Sequence, residues 1–179
     1  EGTDGIVLDV KFGNGAFMSK LENARELAHW LVRVGKAFDK KVVAVVSDMN
    51  QPLGNKIGNS LEVEESIDVL REGGPQDLKE LSLLLSGYMI WLGKNGNSLE
   101  KGIELAKEAI QSGRALQKFR RMIKQQGGDE RVIDSYQYLP QAKYKVPFKS
   151  TQRGTVTEIH ARNIGIAAAS HTYAPHWTD

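Results

Sequence analysis

The fold of this protein is indicated by one stretch of its sequence, VVAVVSDMNQPLGNKIGNSLEVEESIDVL, at residues 42–70. The stretch opens with a run of β-branched and small residues, which is typical of a strand buried on both faces. Asp48 lies at the end of that strand. Pro52, Gly54 and Gly58 then predict a structured turn that leads into a helix. Because ligands in open α/β sheets bind at such strand ends, the stretch predicts an α/β fold with a candidate site after the strand.

A second strand and a helix precede this stretch. Residues 6–8 are continuously apolar, and the apolar residues that follow recur at three- and four-residue steps, which predicts an amphipathic helix. Ser19 and Glu22 have the spacing of a capping box at the start of that helix. Strand, helix and strand together predict a right-handed βαβ unit with parallel strands. The loops after the two strands, at Lys11 and at Asp48, should therefore share one rim.

The rest of the chain divides into a helical part and a part with a different pattern. Residues 59–127 predict several helices separated by glycine turns, and Ser98 is placed to cap one of them. From residue 143 apolar and polar residues alternate, which is typical of strands. We therefore expect part of an α/β domain over residues 1–142, with a mixed, mostly parallel sheet and flanking helices. The start of a C-terminal α+β domain is expected over residues 143–179.

Composition disfavours several classes of protein. The chain has 179 residues, of which 40% are hydrophobic and 26% are charged, so it is long enough to bury a core. Its net charge of +2 is too small to favour a nucleic-acid or membrane partner. The absence of cysteine excludes a disulfide framework and a thiolate nucleophile. Since no apolar run approaches the roughly 20 residues of a membrane span, we expect a cytoplasmic protein.

Three motifs carry a family resemblance. They are DVKFGNGAF at residues 9–17, DMNQPLG at residues 48–54 and GNSLEVEE at residues 58–65. In their residues and their order along the chain they resemble the motifs of the pyrimidine nucleoside phosphorylase and thymidine phosphorylase family. Further matches in family order are Gly74-Pro75, QQGG at 125–128, YLP at 138–140 and GTV at 154–156. The resemblance covers nearly the whole chain, up to residue 169, and residues 170–179 depart from the family pattern.

The resemblance implies an enzyme of pyrimidine nucleoside salvage. Such an enzyme uses inorganic phosphate to break the N-glycosidic bond of thymidine, deoxyuridine or uridine, and releases the free base and a pentose 1-phosphate. It also implies a homodimer. Family members carry a long segment before this first strand, and their catalytic and substrate-binding residues are expected there, upstream of Glu1. We therefore assign no catalytic residue in this chain and expect a fragment or truncated product that is inactive by itself.

Candidate substrate-binding residues lie on the two strand-end loops. Lys11 and the glycines that follow it can bring a cation and backbone amides close to a phosphate, although the same glycines also suit a plain tight turn. Asp48 can orient a ligand, but its context favours a local role, in which its carboxylate accepts an amide hydrogen bond two residues on. We take both residues as rim or support positions of the site.

The resemblance also implies a potassium site. Bacterial members of the family bind potassium through two backbone carbonyls of the loop after this strand and a glutamate of the following helix. By motif, those positions correspond to Leu53, Lys56 and Glu65. Oxygen-rich cages of this kind suit hard cations. The alternative from the residues alone is that Glu62, Glu64 and Glu65 form a solvated acidic first turn that the helix dipole favours.

Two other functions stay open at this point. The first is a non-catalytic truncated isoform that acts as an interaction module, which stable expression without turnover would indicate. The second is a related phosphoribosyltransferase of the anthranilate type, which preferential binding of phosphoribosyl pyrophosphate over orthophosphate would indicate.

Overall fold

A parallel βαβ unit opens the structure, which is a computed structural model that describes residues 3–93 and 97–172. Strand β1 is Gly5–Phe12, helix α1 is Leu21–Ala37 and strand β2 is Lys41–Asp48. The two strands pair in parallel over their whole length, with the first residue of each opposite the first of the other. The predicted βαβ unit and the α/β class are therefore confirmed.

Helix α1 packs on one face of the two strands. Val10 of β1 is buried against Ala24 and Ala28 of the helix, and Ala24 has no exposed surface. Small residues at these positions allow the helix to approach the sheet closely, which is how a short two-stranded sheet gains a core. This packing leaves the carboxyl ends of β1 and β2 side by side.

The expected capping box at the start of α1 is wrong. The helix begins at Leu21, so Lys20 occupies the N-cap position, and no side chain caps the helix there. The preceding residues are held by a local bridge, because Met18 pairs with Phe12 and its carbonyl accepts the Gly13 amide at 2.9 Å. Helix α1 therefore begins without the side-chain cap that the sequence predicts.

Four helices follow β2, as the sequence predicts for residues 59–127. The predicted cap of the third is confirmed, since the Ser98 hydroxyl accepts the Lys101 amide at 3.3 Å. Two short 3-10 helices, Glu130–Ile133 and Tyr136–Tyr138, come next. The four helices are α2 (Asn59–Leu70), α3 (Gln76–Leu92), α4 (Leu99–Gln111) and α5 (Arg114–Gln125).

Helices α2 and α5 form a second core with the two 3-10 helices, separate from the core of the βαβ unit. Ile67 of α2 and Ile133 are almost fully buried in it, and Phe119 of α5 packs against them. Helices α3 and α4 approach each other through Gly87 and Gly102, which are both buried. The loop between β2 and α2 thus connects two packed units.

The expected strands after residue 143 do not form. Residues 143–160 have no regular secondary structure, and the side chains of Tyr144, Val146 and Phe148 are exposed. Alternation alone cannot make a strand, because each backbone group needs a partner, and in residues 3–93 and 97–172 no further strand pairs with this segment. The division of the chain at residue 142 stays a prediction.

One more helix, α6, spans Ala161–Thr172. The divergent tail lies mostly outside the described residues, since 173–179 are not among them. Across the described ranges, no helix combines the length and the apolar character that crossing a membrane requires.

Candidate functional site

The loops after β1 and β2 are bonded to each other and form one rim. The Met49 amide donates to the Phe12 carbonyl at 2.6 Å, and the Gly15 amide donates to the Met49 carbonyl at 3.0 Å. Gly13 has a φ of 120°, and a Cβ there would lie 2.7 Å from the Asn50 nitrogen. Only glycine permits this conformation together with this approach. The predicted shared rim is therefore present.

Lys11 is held at this rim by Asp9 and Ser47. Its Nζ donates to Asp9 Oδ2 at 2.6 Å and to Ser47 Oγ at 3.4 Å, while the Ser47 hydroxyl donates to Asp9 Oδ1. Asp9 and Lys11 lie two residues apart in β1 and so share a face, and the strand register places Ser47 opposite Lys11. The Lys11 side chain is 35% exposed, so its ammonium stays accessible to an anion.

A cavity of about 580 Å³ lies beside the rim. Two cationic side chains, Lys11 and Arg162, line it together with Asp9. Such a combination of apolar walls and a few charged groups suits a small ligand that carries both an apolar ring and an anionic group. The apolar lining comes mainly from Leu8, Phe17, Met18, Leu27, Leu31 and Met49.

A second cavity, of about 570 Å³, lies among the helices α2 to α5. Its lining consists of apolar side chains and three serines, and it contains no titratable residue. Because it offers no group for acid–base chemistry or for charge stabilisation, the cavity at the strand ends is the better candidate.

Asp48 stabilises its own turn. Its Oδ1 accepts the backbone amide of Asn50 at 2.8 Å and the side-chain amide of the same residue at 2.8 Å. This is the local contact that the sequence favours for an aspartate followed by Met-Asn-Gln-Pro. The structure therefore places Asp48 in the rim, where it shapes the loop.

Glu65 is the one buried charged residue among those that the structure describes, with 4% of its surface exposed. Its Oε1 accepts the backbone amides of Asn55 at 2.9 Å and Lys56 at 3.1 Å. Glu65 lies in the second turn of α2, so the helix holds the loop after β2 through this carboxylate. The alternative of a solvated acidic turn is therefore wrong for Glu65, whereas Glu62 is exposed.

The Lys56 side chain points to a different group of residues. Its Nζ forms ion pairs with Asp68 Oδ2 at 2.9 Å and with Glu64 Oε2 at 3.4 Å. Asp68 Oδ1 accepts a hydrogen bond from the Tyr136 hydroxyl. Sequence reasoning missed this contact, because 68 positions separate the two residues and no local pattern links them.

These contacts shift the pKa values of Asp68 and Lys56. Burial opposes ionisation of Asp68, but the hydrogen bonds from Tyr136 and Lys56 outweigh it and lower the pKa of this carboxyl. The hydrogen bond to Asp68 raises the pKa of the Lys56 ammonium, against a smaller effect of burial. Both side chains are thus held in their charged forms, and the loop after β2 is tied to the segment that contains Tyr136.

Comparison with known proteins identifies the family of this chain. A family model described as glycosyl transferase family, a/b domain, matches residues 1–116. The proteins named pyrimidine-nucleoside phosphorylase from Staphylococcus aureus strains USA300, NCTC 8325 / PS 47 and bovine RF122 / ET3-1 are each 51% identical to this chain over 167 residues, or 93% of its length. The chain spans 39% of the length of these curated relatives. It therefore belongs to the glycosyl transferase family that has this a/b domain, and its resemblance to the pyrimidine nucleoside phosphorylases is confirmed.

Proposed function

We propose that this chain is part of a pentosyltransferase that cleaves thymidine, deoxyuridine or uridine with inorganic phosphate and releases the free base and a pentose 1-phosphate. The observation that carries the proposal is the 51% identity, over 93% of the chain, to proteins named pyrimidine-nucleoside phosphorylase. The strand-end rim and its cavity support the proposal, because they combine apolar walls with cationic groups. We further propose that the complete enzyme is a cytoplasmic homodimer.

The chemistry of the reaction defines what the rim would contribute. The N-glycosidic bond opens through an oxocarbenium-like sugar, so the enzyme must position phosphate beside the sugar and stabilise charge on the departing base. Lys11 offers a partly exposed ammonium at the cavity, held in place by Asp9 and Ser47. Asp48 keeps the second loop in its turn. We propose both as rim residues and assign no catalytic residue in this chain.

We also propose that the loop after β2 binds potassium. The support is the environment of the Glu65 side chain. Its buried carboxylate accepts two backbone amides and, among the described residues, forms no ion pair with a lysine, arginine or histidine. A buried carboxylate is costly without a counter-charge, so this environment fits a cation. The backbone carbonyls of Leu53 and Lys56, together with Glu65, would hold it. Potassium would supply positive charge that stabilises the loop.

A chimaeric enzyme tests the proposed function. In it, residues 3–169 of this chain replace the matching segment of the Staphylococcus aureus relative. We expect phosphate-dependent release of thymine from thymidine and of uracil from uridine, and no release by the 179-residue chain alone. Light scattering on the same chimaera tests the dimer. The control is the remaining part of the relative without any replacement segment.

Three outcomes would contradict these proposals. A folded chimaera without phosphorolysis would oppose the assignment of this chain to the enzyme and favour a non-catalytic interaction module. Preferential binding of phosphoribosyl pyrophosphate over orthophosphate would indicate a phosphoribosyltransferase. Turnover by the chain alone would show that catalytic residues lie within it.

A further inference from the structure

Asn14 connects three segments that are distant in sequence. Its backbone amide donates to Asn50 Oδ1 at 3.1 Å, and its side-chain Nδ2 donates to the Asn50 carbonyl at 2.7 Å. Its Oδ1 accepts the backbone amide of Ala161 at 2.9 Å. One asparagine side chain therefore bonds the loop after β1 to the loop after β2 and to the first residue of α6.

The contact with Ala161 is a cap supplied from elsewhere in the chain. The first amides of a helix have no partner within the helix, and a side-chain oxygen that accepts one of them stabilises the helix start. Asn14 does this across 147 positions of sequence. The two backbones also approach closely, since a Cβ on Gly15 would lie 2.8 Å from the Ala161 Cβ.

Helix α6 is attached through this first turn. Ala161 is 8% exposed and is the one buried residue among 161–169. The preceding segment, 143–160, has no regular secondary structure and exposes several apolar side chains. The Ala161 amide also donates to the Asn50 carbonyl at 3.4 Å, so both strand-end loops contact the start of α6.

The attachment matters for the cavity at the strand ends. Arg162, the residue after Ala161, lines that cavity together with Lys11. We propose that Asn14 is a positioning residue that docks the start of α6 on both strand-end loops and thereby places Arg162 at the cavity. The proposal goes beyond phosphorolysis, and its test measures no enzymatic activity.

Residue-resolved amide hydrogen exchange on the 179-residue chain tests the docking. In Asn14→Ala, we expect the amides of Ala161 and of Ile164, which donates to the His160 carbonyl, to exchange roughly tenfold faster, because local opening of the helix start becomes easier. The amides of β1 and β2 should stay within about twofold of their wild-type rates, since their ladder is not altered. Asn163→Ala is the matched control, because Asn163 is exposed on α6 itself and its side chain has no described contact. It should leave the protection of Ala161 unchanged.

The wild-type chain provides a second measurement that needs no variant. Among the described residues, the amides of Arg162 and Asn163 have no acceptor, whereas that of Ala161 bonds to Asn14 at 2.9 Å and to the Asn50 carbonyl at 3.4 Å. We therefore expect the Ala161 amide to exchange at least roughly tenfold more slowly than the other two. Equal exchange of the three amides, or unchanged α6 exchange in Asn14→Ala, would overturn the proposal.

Discussion

Glu65 and Gly54 are in direct contact across the loop after β2. A Cβ on Gly54 would overlap Glu65 Oε2 and lie 3.0 Å from Glu65 Cδ. The glutamate has little room to move, because it is buried and its other oxygen accepts two backbone amides. The loop therefore requires glycine at this position for its space as well as for its backbone conformation, which has a φ of 73°.

Gly54→Ala should destabilise the protein more than its backbone strain alone explains. The left-handed conformation costs an alanine about 1–2 kcal/mol, and overpacking against Glu65 adds about 1–3 kcal/mol. Gly113→Ala is the matched control, since Gly113 has the same φ of 73° and no atom within 4 Å of its added Cβ. Urea unfolding of the two variants measures the difference. Equal losses in the free energy of unfolding would show that Glu65 does not oppose a larger side chain at residue 54.

Glu65→Gln should abolish stabilisation by potassium in the chimaeric enzyme. A bound ligand at 100 times its Kd stabilises a protein by about 2.7 kcal/mol, and we expect this increment in potassium chloride, relative to choline chloride, to disappear. The substitution keeps an oxygen acceptor for the loop amides but removes the charge. Glu64→Gln, which alters the ion pair with Lys56 instead, should retain the response. A potassium response that survives in Glu65→Gln would exclude the site.

Tyr136→Phe should lower the free energy of unfolding by about 1–2 kcal/mol, because it removes the hydroxyl that donates to the Asp68 carboxylate. Tyr138→Phe is the control on the same 3-10 helix, since its side chain is exposed. That change should stay within about 0.5 kcal/mol. Chemical denaturation gives both values. Similar losses of stability in the two variants would show that the hydrogen bond from Tyr136 does not stabilise the protein.

Asp68→Asn should reduce the loss in the free energy of unfolding that the protein shows as the pH falls into the acid range. The folded pKa of Asp68 lies below its ordinary value of 3.8, owing to Tyr136 and Lys56, with Arg71 also nearby. The unfolded chain therefore binds this proton first as the pH falls. The contribution of Asp68 is complete above the ordinary pKa and is lost as the pH drops through the folded pKa.

The measurement is urea unfolding of wild type and Asp68→Asn between neutral pH and about pH 3, near the ordinary pKa of an aspartate. We expect the difference in stability between the two proteins to shrink toward the acid end. A difference that is constant with pH would show that the Asp68 charge is not stabilised in the folded state.

Two glycines in helices should respond to alanine with opposite signs. A Cβ on Gly102 would overlap the Gly87 carbonyl oxygen and lie 3.1 Å from the Gly87 carbonyl carbon. Gly102→Ala should therefore separate α3 from α4 and destabilise the protein by about 1–3 kcal/mol. Gly165 in α6 has no atom within 4 Å, so Gly165→Ala should raise the helicity of α6 by the usual propensity gain of about 1 kcal/mol.

Thermal unfolding measures the loss in Gly102→Ala, and amide exchange within α6 measures the gain in Gly165→Ala. An unchanged thermal stability of Gly102→Ala would show that α3 and α4 can move apart without destabilising the protein.

Local sequence patterns determined the strands and helices of residues 5–125. The apolar runs of β1 and β2 and the periodic residues of α1 predicted the parallel βαβ unit, and the four helices of residues 59–127 lie where their spacing places them. The motif at residues 48–54 begins at the end of β2, and its Met49 lines the candidate cavity. These features depend on residues that are close together in the sequence, so they can be predicted from the sequence alone.

Only the tertiary structure decided how these elements meet. The burial of Glu65, the bond between Tyr136 and Asp68 and the docking of Ala161 on Asn14 each join residues through the packing of separate elements. The alternating residues after 143 carry a strand pattern and yet form no strand, because a strand exists only with a partner. Hydrogen bonds and burial between distant segments are set by the whole fold, whereas periodicity is a property of the local chain.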